Sequence, residues 1–177
     1  MKNISIRVVR IGDEHLLSEY YLRNWHHFKP WSPERTLGTD TPEHWRAKIN
    51  AMLSEQDSGK AVLLLALDSD NTIILAHCSL TQICHGVFKA CYLGFGVDEA
   101  QQGSGIMKRL CLHAIEVAFN DIGLNRVMAN YIPHNNRSAY LLKSLGFERE
   151  GRAKDYLKIN GCWQDHILAS LRNPQSD

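Results

Sequence analysis

Two glycine pairs flank a short polar loop in mid-chain: Gly94-Phe95-Gly96-Val97, then Asp98-Glu99-Ala100-Gln101-Gln102, then Gly103-Ser104-Gly105-Ile106-Met107. These residue types predict a strand, a turn and the start of a long helix. A glycine inside a strand marks a bulge or a close approach to the backbone. Glycines at a helix start leave N–H groups free to converge on an anion. The chemistry this spacing supports is capture of a phosphate-bearing cofactor, laid along the strand and anchored on the helix end. A P-loop is excluded, because G-x-x-x-x-G-K-[ST] is absent. A dinucleotide fingerprint is excluded too, because Lys108 stands where its third glycine belongs. A plain tight turn before a helix stays open on the loop alone.

The elements that must position this loop follow from periodicity and turn chemistry. Ile4–Arg10 alternates as a strand, and Asp13 can cap a helix to Arg23. Asn24–Pro33, with two prolines and three aromatics, predicts an ordered loop. Thr41-Pro42-Glu43 opens a helix to about Glu55. Strands are predicted at Ala61–Leu67, Ile73–Ile83 and Ala90–Val97. The helix after Gly103 should reach Asp121, with Ile106, Leu110, Ala114, Val117 and Ala118 inward. A buried strand Val127–Tyr131 and a helix Ser138–Leu145, closed by Gly146, come next. Asn160-Gly161 is a type I′ turn signal for a last hairpin, Phe147–Ile159 with Trp163–Leu171. The order β-α-α-β-β-β-α-β-α-β-β predicts an α/β (α+β) fold. Its sheet is seven-stranded, mixed and mostly antiparallel, with helices on both faces. One domain over 1–171 and a polar, frayed tail over 172–177 are expected.

Composition narrows the function. Of 177 residues 44% are hydrophobic, enough for a core, and 20 basic against 19 acidic residues leave a net charge of +1. A nucleic-acid binder normally carries a strong basic excess, so no direct nucleic-acid binding is expected. The start Met1-Lys2-Asn3-Ile4-Ser5-Ile6 has no apolar core of signal-peptide length. No run suits a membrane helix, so no membrane partner and a cytoplasmic setting are expected. Five unclustered cysteines read as reduced and structural. Nine histidines without H-x-x-x-H or H-E-x-x-H spacing give no metal site. Nothing in the spacing selects an oligomeric state.

Downstream, Asn135-Asn136-Arg137-Ser138 precedes Leu141-Leu142-Lys143-Ser144-Leu145-Gly146-Phe147. This block resembles the helix and Leu-Gly-Phe ending of the GCN5-related N-acetyltransferases (GNAT superfamily). The Gly103 helix start resembles that family's acyl-CoA pyrophosphate loop, with Ala100 where Arg or Gln is usual. The likeness runs nearly end to end. Pro30-Trp31-x-Pro33, Tyr92-Leu93-Gly94-Phe95, Asn130-Tyr131-x-Pro133-His134-Asn135, Lys154-Asp155-Tyr156-Leu157 and Gly161-x-Trp163-x-Asp165-His166 resemble the RimJ-type ribosomal-protein alanine N-acetyltransferases.

That resemblance implies acetyl-CoA as cosubstrate, and as acceptor a protein N-terminus, that of a small-subunit ribosomal protein. It implies that Phe95, Gly96 and Val97 meet the pantetheine, with Asn135 able to reach it as well as to cap its helix. It assigns Gln102, Gly103, Ser104, Gly105, Ile106 and Met107 to the pyrophosphate. Many members carry a Tyr general acid where this chain has Leu142, so the resemblance moves proton delivery to Ser138. Tyr92 stands where many relatives have a Glu base, and a water held by Tyr92 could serve. An α-amine of pKa ~8 is roughly a tenth neutral at pH 7, whereas a lysine near ~10.4 is almost wholly charged. A site lacking a carboxylate base therefore suits an α-amine. Phe28, Trp31, Tyr131, Tyr156 and Trp163 are candidate groove aromatics, about half of them expected to face the site. Asp155 and Asp165 are candidate anchors for the incoming ammonium. Two rivals remain: a small-molecule amine acetyltransferase acting on a polyamine or aminoglycoside, and a non-catalytic acetyl-CoA-binding ribosome-assembly factor.

Overall fold

The structure, a computed structural model, describes residues 3–36 and 38–175. Its strands are β1 (Ile4–Val8), β2 (Val62–Asp68), β3 (Ile74–Cys84), β4 (Ala90–Val97), β5 (Arg126–Met128), β6 (Glu148–Ile159) and β7 (Cys162–Arg172). They form one sheet in the order β1-β2-β3-β4-β5-β7-β6. Every neighbouring pair is antiparallel except β4 with β5. Helices are α1 (Glu14–Arg23), α2 (Trp25–Phe28), α3 (Pro42–Asp57), α4 (Ile106–Glu116) and α5 (Asn136–Ser144).

The pleat of β2 explains the layering. Leu63, Leu65 and Leu67 face one way and pack with Leu17, Tyr20, Trp45 and Ile49 of α1 and α3. Leu64 and Ala66 face the other way, into a larger core with Leu110, Ala114 and Leu142 of α4 and α5. Helices therefore cover both faces, as period-two alternation requires of a sheet buried on both sides.

Local chemistry sets the ends. Thr41 Oγ1 accepts from the His44 N–H at 3.2 Å and Asn135 Oδ1 from the Ser138 N–H at 3.1 Å, capping α3 and α5. Asn160 (φ 45°) and Gly161 (φ 81°) make the left-handed pair a type I′ turn demands.

Five expectations change. Asp13 does not cap α1 with its side chain. Its carboxylate is taken by Arg7 at 2.7 Å through both oxygens and by the Arg10 N–H at 2.9 Å. The expected Asn24–Pro33 loop contains α2 and a 3₁₀ turn, Lys29–Trp31. The helix expected to reach Asp121 is α-helical only to Glu116 and ends as a π-helical turn, Val117–Asp121. The strand expected over Val127–Tyr131 spans Arg126–Met128, followed by an isolated bridge from Tyr131 to Ile167. The polar tail begins inside β7, since Arg172 pairs with Arg126; Ser176 and Asp177, like Met1 and Lys2, lie outside the described residues.

Candidate active site

Where β5 ends, the sheet forks. The parallel pairing of β4 with β5 consists of Ala90–Arg126, Cys91–Val127 and Tyr92–Met128. Past Met128 the chain follows β7: the Ala129 N–H donates to Ala169 C=O at 2.9 Å, and Tyr131 and Ile167 exchange two bonds at 3.1 and 2.8 Å. Meanwhile β4 continues to Val97 beside β3 alone. Phe95, Gly96 and Val97 thus border an opening inside the sheet, half-buried. Tyr92 stands at its apex.

The two strand glycines have a cause that the sequence did not show. A Cβ on Gly94 would sit 2.9 Å from Ser79 Oγ, and one on Gly96 would sit 2.5 Å from His77 Cε1. Cross-strand side chains of β3, not a ligand, demand glycine at both. His77 is half-buried, with Nδ1 3.2 Å from Tyr20 Oη and Nε2 3.4 Å from Tyr21 Oη. Burial, aided by the Arg35 charge, pushes its pKa down to about 4, so the ring is neutral at neutral pH. Tyr20 Oη also donates to Gly96 C=O at 3.1 Å, so this cluster braces β4 from behind.

Gly103 (φ 73°) and Gly105 (φ 80°) need glycine for their own left-handed backbone. Added Cβ atoms there would meet nothing within 4 Å, so it is the backbone conformation and not crowding that demands glycine. In α4, Arg109 is the first residue whose N–H reaches a backbone acceptor of this turn, Gly105 C=O at 3.2 Å. The N–H groups of Ile106, Met107 and Lys108 therefore point out of the helix end, where the helix dipole favours an anion. An acyl-CoA pyrophosphate fits this cradle.

A buried polar cluster holds the loop from the other side, and sequence reading missed it. Asn24, 1% exposed, donates to Asp98 Oδ2 at 3.0 Å and accepts from the Glu99 N–H at 2.9 Å. Arg23 Nε donates to the same carboxylate at 2.6 Å, and the Ala100 N–H donates to its other oxygen at 3.0 Å. Burial alone would raise the Asp98 pKa; the Asn24, Arg23 and Ala100 bonds outweigh it and hold the carboxyl below its ordinary value. Gln102 Nε2 lies 3.0 Å from His27 Nε2, tying the loop to α2. The one local signal was Asp98 itself, an aspartate immediately after a strand and before a turn.

Across the fork lie the residues expected to meet the acceptor. Ser138 is half-buried in the first turn of α5, beneath the Asn135 cap. Leu142, at the position of the missing tyrosine, is 2% exposed and belongs to the core. Tyr92 Oη lies 3.5 Å from Tyr156 Oη, which accepts from Asn130 Nδ2 at 3.1 Å. The bond to Tyr156, then burial, raises the Tyr92 pKa, so it is a neutral hydroxyl and no base. A groove of about 410 Å³ is lined by Ile132, Pro133, His134, Arg152, Trp163, Gln164 and Asp165.

Of the aromatics, Trp163 is 61% exposed in that groove, and Trp31 lies with its ring 5.5 Å from His134 at the groove wall. Tyr131 is half-buried against the core where β5's extension meets β7. Phe28 is placed differently from expectation: its ring packs against Tyr20, Tyr21 and His77 in the α1–α3 core, because α2 turns it inward. Asp165 lines the groove, but its carboxylate is held by Arg152 at 2.9 and 2.7 Å and by the Asp155 N–H at 3.0 Å. Cys91 points into the core and burial pushes its thiol up to about 12. No group of three or more His, Cys, Asp or Glu among the described residues could hold a metal.

An open strand edge running to a glycine-built helix N-terminus, with hydroxyls at the fork, defines the class of enzymes that move an acyl group from a nucleotide thioester. A family model described as acetyltransferase (GNAT) domain matches residues 3–148, and the chain belongs to that family of N-acetyltransferases. The ribosomal protein uS5-alanine N-acetyltransferase of Escherichia coli K12 is 38% identical over 169 residues, 96% of this chain and 87% of that protein. The crystal structure of the ribosomal-protein-S5-alanine acetyltransferase of Vibrio fischeri superposes with a TM-score of 0.94 at 35% identity, covering 99% of this chain and 96% of that one. Mycobacterium smegmatis RimJ, solved in complex with CoA-disulfide, gives 0.90 at 25% identity, covering 98% and 85%.

Proposed function

We propose that this acyltransferase uses acetyl-CoA to acetylate the N-terminal α-amine, alanine, of a small-subunit ribosomal protein in the cytoplasm. The observation that carries the reading is the charge state of the acceptor side. The groove's one carboxylate, Asp165, is neutralised by Arg152, and the hydroxyl at the fork is a raised-pKa phenol. Such a site offers neither a strong base for a lysine nor an acidic well for a polyamine. It suits an amine that brings its own neutral fraction, as an α-amine does. The likeness to the uS5-alanine enzyme over 96% of the chain supports the same acceptor.

When bound, acetyl-CoA supplies a thioester carbonyl carbon as electrophile and a sulfur that leaves with the C–S electron pair. Backbone groups of Phe95, Gly96 and Val97 orient the pantetheine arm along β4. The loop from Gln102 to Met107 holds the pyrophosphate through N–H groups. Asn135 fixes the start of α5, and the Ser138 hydroxyl gives a proton to the departing sulfur. The amine forms the new C–N bond as the C–S bond breaks and releases its proton to water near Tyr92, and Ser138 takes a proton back from solvent. The test is incubation with acetyl-CoA and a peptide panel, read by mass spectrometry. A peptide beginning with alanine should gain one acetyl group; the same peptide with a blocked N-terminus and internal lysines should gain none. Comparable acetylation of the blocked peptide would overturn the reading.

A further inference from the structure

One irregularity in the acceptor half is unused by this mechanism. In the β6–β7 hairpin the register slips between Ala153–His166 and Leu157–Gln164. Lys154, Asp155 and Tyr156 therefore stand opposite the single residue Asp165. Such a bulge re-aims a side chain, and bulges gather beside active sites. Here it carries Tyr156 to the fork, with its hydroxyl against Asn130 and Tyr92.

The bulge needs Asp155 at φ 44°, a left-handed conformation that an L-residue other than glycine adopts at a cost. Asp165 is built to hold it. Its Oδ1 accepts the Asp155 N–H at 3.0 Å, while Arg152, just before the bulge, grips Oδ2. The carboxyl's pKa is lowered first by that N–H and then by Arg152, so it is ionised, while the bond that holds the bulge needs only the accepting Oδ1.

We propose that Asp165 is a positioning residue for acetyl transfer. It holds Asp155 in the left-handed bulge and thereby keeps the Tyr156 hydroxyl beside Tyr92 at the fork, instead of binding the substrate ammonium. The inference rests on the acceptor reading given above.

Glycine supplies the test, because it adopts φ > 0 without help. Asp165→Ala should lower kcat for an alanine-starting peptide by about tenfold or more, as misplacement of a site group does, with KM little changed. Adding Asp155→Gly should restore most of that loss. Asp165→Asn keeps the accepting oxygen and discards the charge, and should stay near wild type. Tyr156→Phe should be slow, and Asp165→Ala should add nothing on that background. The proposal is overturned if the Asp155→Gly double variant is as slow as Asp165→Ala. It is equally overturned if Asp165→Asn is as damaging as Ala with the loss in peptide KM, the signature of an ammonium anchor. Should Asp165→Ala fail to fold, Asp165→Asn and the double variant carry the same decision. Tyrosine titration by NMR gives an activity-free readout. The raised titration of Tyr92 should fall back in Asp165→Ala and return in the double variant, and absence of that pattern also overturns the proposal. If the wild type acetylates no peptide, the acceptor reading fails, and the titration still decides the positioning role.

Discussion

The two halves of the site are built from different materials. The donor half is backbone: left-handed glycines, a helix end, and a β4 edge braced from behind by buried Asn24, Asp98 and Tyr20 and half-buried His77. The acceptor half is side chain: Ser138 of α5, Tyr92 of β4, and Tyr156 and Trp163 of a hairpin whose bulge one carboxylate holds. Backbone recognition suits a ligand that is the same in every turnover. Side chains on an exposed hairpin suit the partner that distinguishes one enzyme of the family from another, since a loop-borne surface varies without disturbing the core.

Substitutions should separate the halves by which constant moves. The largest effect belongs to Ser138→Ala, expected to cut kcat roughly 10²–10⁴-fold, the usual worth of a placed general acid, while acetyl-CoA affinity by calorimetry changes little. Near-normal turnover would leave Ser138 as a helix-start residue. Acid should next find the buried brace of the donor half. The His77 pKa is about 4 folded and 6.5 unfolded, so the unfolded chain binds more protons between them. Its contribution is therefore full above pH 6.5 and lost as pH falls towards 4, by about 3 kcal/mol in all. Denaturant titrations at pH 7.5 and 5 should show a fall that is much smaller in His77→Gln; equal falls would remove His77 as the cause.

Gly105→Val places a β-branched residue at φ 80° in the cradle. It should weaken acetyl-CoA binding about tenfold or more, through backbone strain and the lost approach of phosphate, with peptide KM spared. Unchanged affinity in a folded variant would detach the loop from the cofactor. The smallest effect is on the acceptor side. Trp163→Ala should raise peptide KM roughly fivefold, about 1 kcal/mol of exposed aromatic contact, and leave acetyl-CoA binding alone. A change in acetyl-CoA affinity instead would erase the division between the halves.

The division also marks what the sequence could disclose. Gly103, Gly105, the Asn135 cap and the Gly146 helix stop act within a few residues of themselves, so spacing reveals them. The fork does not show locally: Val127–Tyr131 reads as one strand, and only the capture of its second half by β7 parts it from β4. Long-range partners were equally hidden. Nothing near Asn24 announces Asp98, and Gly96 advertises a close approach without saying that His77 makes it. Phe28 and Asp165 show the limit of residue type. An aromatic and a carboxylate were both legible as groove candidates, while the core packing of one and the ion pair of the other depend on folded neighbours.

The fork has one more consequence. Three residue pairs are the whole strand-to-strand seam between two plates, β1–β4 on one side and β5, β7 and β6 on the other. The β5–β7 seam also has three strand pairs but is extended by the Tyr131–Ile167 bridge, and the other seams are longer. On the proposed function, a thioester cosubstrate lying in the opening would reach from β4 to the start of α5 and act as a stitch across this short seam. Any such ligand stabilises the folded chain by RT ln(1 + [L]/Kd), about 2.7 kcal/mol at a hundredfold excess over Kd. On that reading, resistance to unfolding would rise with the concentration of cosubstrate relative to its Kd.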